Sequence, residues 1–195
     1  MPGRKRSSTK TTRHVALLLI DVINDMDFPG SETLVRLAES MAKHLRALKR
    51  RARAAGIPTI YINDNFGKWR SDFRATVQYC MKPAVPGHKV AMMLEPDGKG
   101  YFVLKPKQSA FYGTTLDTLL RDLKTKTVIL TGVAGDNCVL FSANDAYMRD
   151  LKLHIPQDCV ASNTEAENQY ALQLMQKVVK ADITPSTDLD LEALA

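Results

Sequence analysis

Three side chains in this sequence stand where an apolar run gives way to a turn, and their types suit nucleophilic catalysis. Asp21 closes HVALLLIDV, Lys105 closes YFVLK, and Cys138 follows TVILTGVAGDN where a helical pattern begins. A thiol must lose its proton before it can attack. An aspartate can take that proton, and a lysine ammonium can hold the charges that result. The first turn of a helix adds a dipole and N–H groups that favour a thiolate and offer donors to a developing oxyanion. Each residue also has an ordinary reading: a loop or capping aspartate, a solvated lysine, a small buried cysteine. Lys107, two positions further on, competes with Lys105 for the cationic role.

Cys80 falls in a helical stretch and Cys159 closes an apolar run, so both read as structural. Three widely spaced cysteines without a CxxC do not suggest a disulfide framework. His14, His44, His88 and His154 are isolated and lack metal-ligand spacing. A Cys–His pair could form only from distant positions.

The elements that must position these residues alternate in type. HVALLLIDV (14–22), IPTIYIND (57–64), YFVLK (101–105), TVILTGV (127–133) and KLHIPQDCV (152–160) read as strands, and ADITPS adds a sixth. Between them lie helices. The first is a long one opened by Ser31 and ended by Gly56, with Leu34, Leu37, Met41, Leu45 and Leu48 on one face. Shorter helices are expected over residues 71–81, 113–123, 137–150 and 165–180, while the Pro/Gly-rich stretch 82–100 reads as a loop. Strands separated by helices, with no tight hairpin, predict a parallel α/β sheet with right-handed crossovers. Ligands bind such sheets at the carboxyl ends of the strands, where Asp21, Lys105 and Cys138 all fall.

The net charge of +6 is not a nucleic-acid signal. Five of the 27 basic residues crowd into residues 1–13 with no acid among them, which leaves 22 basic against 21 acidic residues elsewhere. The expectation is a basic, disordered arm (1–13) ahead of a single domain (14–195), with neither nucleic acid nor membrane as partner. No signal-peptide core follows the arm, so a cytoplasmic location is expected. TGVAGDN lacks the GxGxxG of a dinucleotide-binding turn.

LLLIDVINDMDFPG, VLKPKQSAFYGTTLDTLL and LTGVAGDNCVLFSANDAYMRD, in that order, resemble three motifs of the isochorismatase-like cysteine hydrolases. The resemblance spans about residues 14–186. It implies a Rossmann-like, three-layer α/β/α fold with a six-stranded parallel sheet in the order 3-2-1-4-5-6. It puts the catalytic aspartate at Asp21, the lysine at Lys105 rather than Lys107, and the nucleophile at Cys138. It also implies a non-proline cis peptide between Val133 and Ala134, with the amides of Ala134 and Cys138 forming the oxyanion hole.

Nicotinamidase-like members hold a metal through an Asp-x-His and a further His after the second strand. Here that region reads NDNFGKWRSDF, so Asp64 remains without histidines; no metal and no other cofactor are expected. Vinyl-ether-cleaving members generally lack the cysteine, so its presence favours attack on a carbonyl of a small amide, ureido or related C–N compound. Two alternatives stay open: vinyl-ether hydrolysis with Asp21 as acid, and an inactive relative that binds a partner. Phe28, Trp69 and Phe111 are candidates for the pocket wall. The resemblance further implies a homo-oligomer, dimer or tetramer, acting on a small molecule.

Overall fold

All six residues of β1 (Val15–Ile20) are apolar and fully buried, so this strand lies at the centre of the sheet. The computed structural model describes residues 14–65, 72–98 and 100–194; the basic arm 1–13 and Trp69 lie outside the described residues. β1 pairs in parallel with β2 (Thr59–Asp64) on one side and β4 (Thr127–Val133) on the other. β2 pairs with β3 (Tyr101–Lys105), while β4 pairs with β5 (Lys152–His154) and β6 (Val160–Ala161), again all parallel. The order is β3-β2-β1-β4-β5, with β6 attached to β4.

Because side chains alternate along a strand, β1 feeds two cores. Val15, Leu17 and Leu19 pack on the face covered by α1 (Glu32–Ala54), while Ala16, Leu18 and Ile20 pack on the opposite face. That second core also takes residues of α4 (Leu116–Asp122), α5 (Leu140–Tyr147) and α6 (Glu165–Val178). The result is the expected three-layer α/β/α arrangement. Each buried Leu or Ile stabilises it by roughly 1.5–3 kcal/mol, which lets the sheet carry buried charge at one end.

Several expectations need correction. The run 152–160 is not one strand. Between His154, opposite Ile129, and Val160, opposite Gly132, the edge chain advances six residues while β4 advances three. A 3-10 turn at Gln157–Cys159 takes up the excess. Pro156 precedes it, and a proline has no N–H to give a ladder. ADITPS supplies only one bridge, Asp182 opposite His154, because Asp182 Oδ1 then accepts the Thr184 N–H and turns the chain away. The sixth strand is instead the short β6.

Within 82–100, read as a loop, His88–Met93 forms the six-residue helix α3, with Val90 and Ala91 buried. The helix expected over 71–81 is α2 (Phe73–Cys80), capped by the Asp72 side chain on the Arg74 N–H. Ser31 makes no side-chain cap at the start of α1 and already has helical backbone angles. Gly56, at φ +73°, stands just past that helix as its composition suggested.

Candidate active site

The site grows out of the carboxyl ends of β1, β2, β3 and β4. Asp21, the first residue after β1, keeps its backbone N–H on Ile62 O at 2.8 Å. Its φ of 50° then turns the chain into the left-handed region, which aspartate tolerates better than most residues. Its carboxylate accepts the Asp64 backbone N–H at 2.7 Å, so the end of β2 fixes one oxygen. Lys105 ends β3, held by the Asn65 N–H on its carbonyl at 3.0 Å. Two strand spacings of about 4.8 Å separate β3 from β1, a gap that a lysine and an aspartate together bridge.

Lys105 Nζ lies 2.8 Å from Asp21 Oδ2, 3.3 Å from Asp64 Oδ2 and 3.4 Å from Cys138 Sγ. It also donates to the Lys107 carbonyl at 3.2 Å. Lys107 itself is exposed and contributes backbone only, so the central ammonium belongs to Lys105. Lys105 is 0% exposed and Asp21 4%. The structure therefore gathers Asp21, Lys105 and Cys138 into one group, with the Lys105 ammonium bridging the Asp21 carboxylate and the Cys138 sulfur.

Cys138 is delivered by a compressed strand-to-helix junction. The Val133–Ala134 peptide is cis, and the chain enters a π-helical turn, Gly135–Val139, before α5. Ala134 O accepts both the Asn137 and the Val139 N–H at 3.1 Å, the second closing the wider ring of a π turn. Two glycines make the junction possible. A Cβ on Gly132 (φ +112°) would stand 2.0 Å from Ile20 O, and one on Gly135 would stand 2.6 Å from Asn168 Oδ1. Ser142 braces the turn: its hydroxyl donates to Cys138 O at 2.6 Å and accepts the Ala110 N–H at 2.9 Å. That brace was not foreseen. Its only trace in the sequence is a serine four residues after the cysteine.

The electrostatics correct one expectation. A helix start was expected to lower the Cys138 pKa; instead the thiol is pushed up to about 12, by burial first and the Asp21 charge second, with Lys105 opposing. A single π turn cannot outweigh burial together with a neighbouring carboxylate. Asp21 is raised above its ordinary value of 3.8 by burial, although Lys105 and the Asp64 amide pull the other way. For Lys105, burial is the largest single influence and acts downward. Asp21, Cys138 and Asp64 together overcome it, and the net shift is upward from 10.5. Cys138 therefore rests as a thiol, with the Lys105 ammonium 3.4 Å from its sulfur.

Of the candidate pocket residues, Phe28 is 44% exposed on the loop after β1, and Trp69 lies outside the described residues. Phe111 is buried in the core cluster against which Cys138 packs, with the Arg149 guanidinium over its ring. Asp64, where a metal ligand would stand, is turned toward the Lys105 ammonium. Among the described residues no three His, Cys, Asp or Glu side chains converge on a point suited to a metal ion. The donor set does not fit one.

The model of the isochorismatase domain matches residues 15–187. The chain belongs to the isochorismatase family. It is 44% identical over 169 residues to the uncharacterized isochorismatase family protein YaaI of Bacillus subtilis (strain 168), covering 87% of this chain and 92% of that one. It is 23% identical over 189 residues to the N-carbamoylsarcosine amidase of an Arthrobacter species, covering 92% of this chain and 72% of the relative. Among solved structures, the N-carbamoylsarcosine amidase from Thermoplasma acidophilum superposes with a TM-score of 0.69 at 26% identity, over 90% of this chain and 98% of that chain. No helix among the described residues is long and apolar enough to cross a membrane.

Proposed function

We propose that this isochorismatase-family protein is a metal-independent cysteine hydrolase acting on a small amide, ureido or related C–N compound. The observation that carries this reading is the position of Lys105 Nζ, 2.8 Å from Asp21 and 3.4 Å from the Cys138 sulfur. A buried lysine holding a carboxylate and a thiol together has no purpose in a binding scaffold, and burying it is costly. The similarity to N-carbamoylsarcosine amidases supports the choice of C–N bond.

Asp21 takes the Cys138 proton as the sulfur attacks the substrate carbonyl. The thiol does not ionise beforehand, because burial and the neighbouring Asp21 hold its pKa near 12. Transfer to an adjacent base during attack avoids a free thiolate. The amides of Ala134 and Cys138 receive the oxyanion. Protonated Asp21 gives its proton to the leaving nitrogen as the C–N bond breaks, forming a thioester on Cys138. Asp21 then takes a proton from water, which attacks the thioester, and returns it to the Cys138 sulfur as the C–S bond breaks, releasing the acid and restoring the thiol.

A screen of small amides and ureido compounds in the presence of EDTA tests both halves of the reading. Mass spectrometry of the stalled enzyme is expected to find the acyl group on Cys138. Turnover that EDTA abolishes, or that persists in Cys138→Ala, would overturn it.

A further inference from the structure

Asp64 has no task in the mechanism above, yet its carboxylate lies 3.3 Å from the Lys105 ammonium that also pairs with Asp21. The groups facing Lys105 are Asp21 after β1, Asp64 at the end of β2, Cys138 on the π turn and the Lys107 carbonyl. Two of them change during the reaction, and one of these, Asp21, changes charge. Asp21 becomes neutral when it accepts the thiol proton, and the sulfur becomes bonded to carbon. At that stage the fully buried ammonium would keep only neutral contacts, apart from Asp64.

We propose that Asp64 is a positioning residue that serves as the standing counter-ion of Lys105, keeping its charge compensated while Asp21 carries the proton. This inference rests on the hydrolase reading. Its charge acts in two ways of the same sign. It shares the ammonium with Asp21, so Lys105 clamps the ionised base less tightly and Asp21 stays more basic. It also remains in place after Asp21 is neutralised, so the proton transfer does not strand a buried cation. The register makes the arrangement possible: Asp64 and Lys105 are Cα partners at the ends of β2 and β3. The Asp64 backbone N–H meanwhile holds the other Asp21 oxygen, a contact that survives any change of side chain.

The test uses p-nitrophenyl acetate, an uncharged acyl donor whose leaving group needs no proton. Acylation of Cys138 then reports the deprotonation step alone. Asp64→Asn keeps the shape and an acceptor oxygen but removes the charge. Its acylation rate is expected to fall about tenfold, the difference between a charged and a neutral hydrogen-bond partner. The acid limb of its pH profile is expected to move to lower pH, because Asp21 loses a neighbouring anion. Asp64→Glu restores the charge and is expected to recover most of the rate and the original limb, which a merely structural role would not require. Asp64→Ser provides the same comparison should Asp64→Asn fold poorly.

The proposal fails if Asp64→Asn acylates like the parent with an unmoved acid limb, or if Asp64→Glu is as slow as Asp64→Asn. Cys138→Ser and Lys105→Met are run alongside. If those two acylate normally, the hydrolase reading itself falls; if they are silent and only Asp64 is without effect, the counter-ion role alone is lost.

Discussion

Cys138 and Cys159 each have an aspartate beside them, and in each the thiol is pushed up by burial first and by that aspartate second. They differ in what the aspartate is free to do. Asp158, next to Cys159, already accepts the Ser186 backbone N–H and hydroxyl, both at 2.7 Å, with His44 Nδ1 3.4 Å away. It pins the C-terminal segment, and Cys159 is 0% exposed in the core. Asp21 is held instead by a lysine that also touches the sulfur. An acid next to a thiol is therefore not what sets the candidate site apart. The cation that can follow the charge from one to the other separates the two sites.

The sharpest way to break this comparison is to remove each sulfur in turn. Cys138→Ser is expected to lower kcat/KM for an amide substrate by at least about a thousandfold. Cys159→Ser is expected to leave it nearly unchanged, as steady-state kinetics would show. Lys105→Met should come next, with a loss of about a hundredfold or more, because the charge moving from Asp21 to sulfur loses its partner. It should also lower unfolding free energy by about 3 kcal/mol at neutral pH, since Asp21 is left as an uncompensated buried anion. That loss should shrink as pH falls. Without Lys105 the folded state raises the Asp21 pKa further and so binds its proton more tightly than the unfolded chain does; denaturant titrations at several pH values check the sign.

Asp21→Asn should separate reactivity from catalysis. The variant is expected to lose hydrolysis while Cys138 reacts faster with iodoacetamide, because the carboxylate that raises the thiol pKa is gone and Lys105 is left to the sulfur. Equal or slower alkylation would mean that Asp21 is not what keeps the thiol protonated. Under the proposed mechanism the active form carries one proton on the Asp21–Cys138 pair. The kcat/KM profile should therefore fall on the acid side at a pH above 3.8 and on the alkaline side above 9.0, the ordinary values of the two groups. The smallest effect belongs to Cys159→Ala, a loss of about 1 kcal/mol from one buried sulfur, read from thermal or urea unfolding.

The central strands and the three candidate site residues were legible because each strand end is marked by an abrupt change of residue type. Asp after LLLI and Lys after FVL are unusual enough to notice singly, and the three-motif resemblance set their order. The edge of the sheet was less legible. Val160 and Ala161 belong to the same apolar run as Leu153, and only the offset imposed around Pro156 divides them. Helix α3 was hidden because six residues between prolines and glycines carry almost no periodic signal. Within the site, the sense of the Cys138 pKa shift was misread. A helix start can be seen in a sequence, whereas burial and a carboxylate folded back from residue 21 cannot. Asp64 was judged by the histidines it lacks, and its pairing with Lys105 appears only once the parallel register of β2 and β3 is known.

The π turn at Gly135–Val139 has a consequence for how this family can vary. A π turn amounts to one residue more than an α-helix accommodates, and each helical residue turns the chain by about 100°. Deleting a single residue there would let the helix close normally while swinging the thiol away from Lys105 and Asp21 by that angle. A change of length in this segment should therefore cost more than an insertion or deletion in a surface loop. Among relatives that retain the cysteine, the spacing from Gly132 to Ser142 should be the least variable stretch of the chain, held fixed by counting rather than by chemistry.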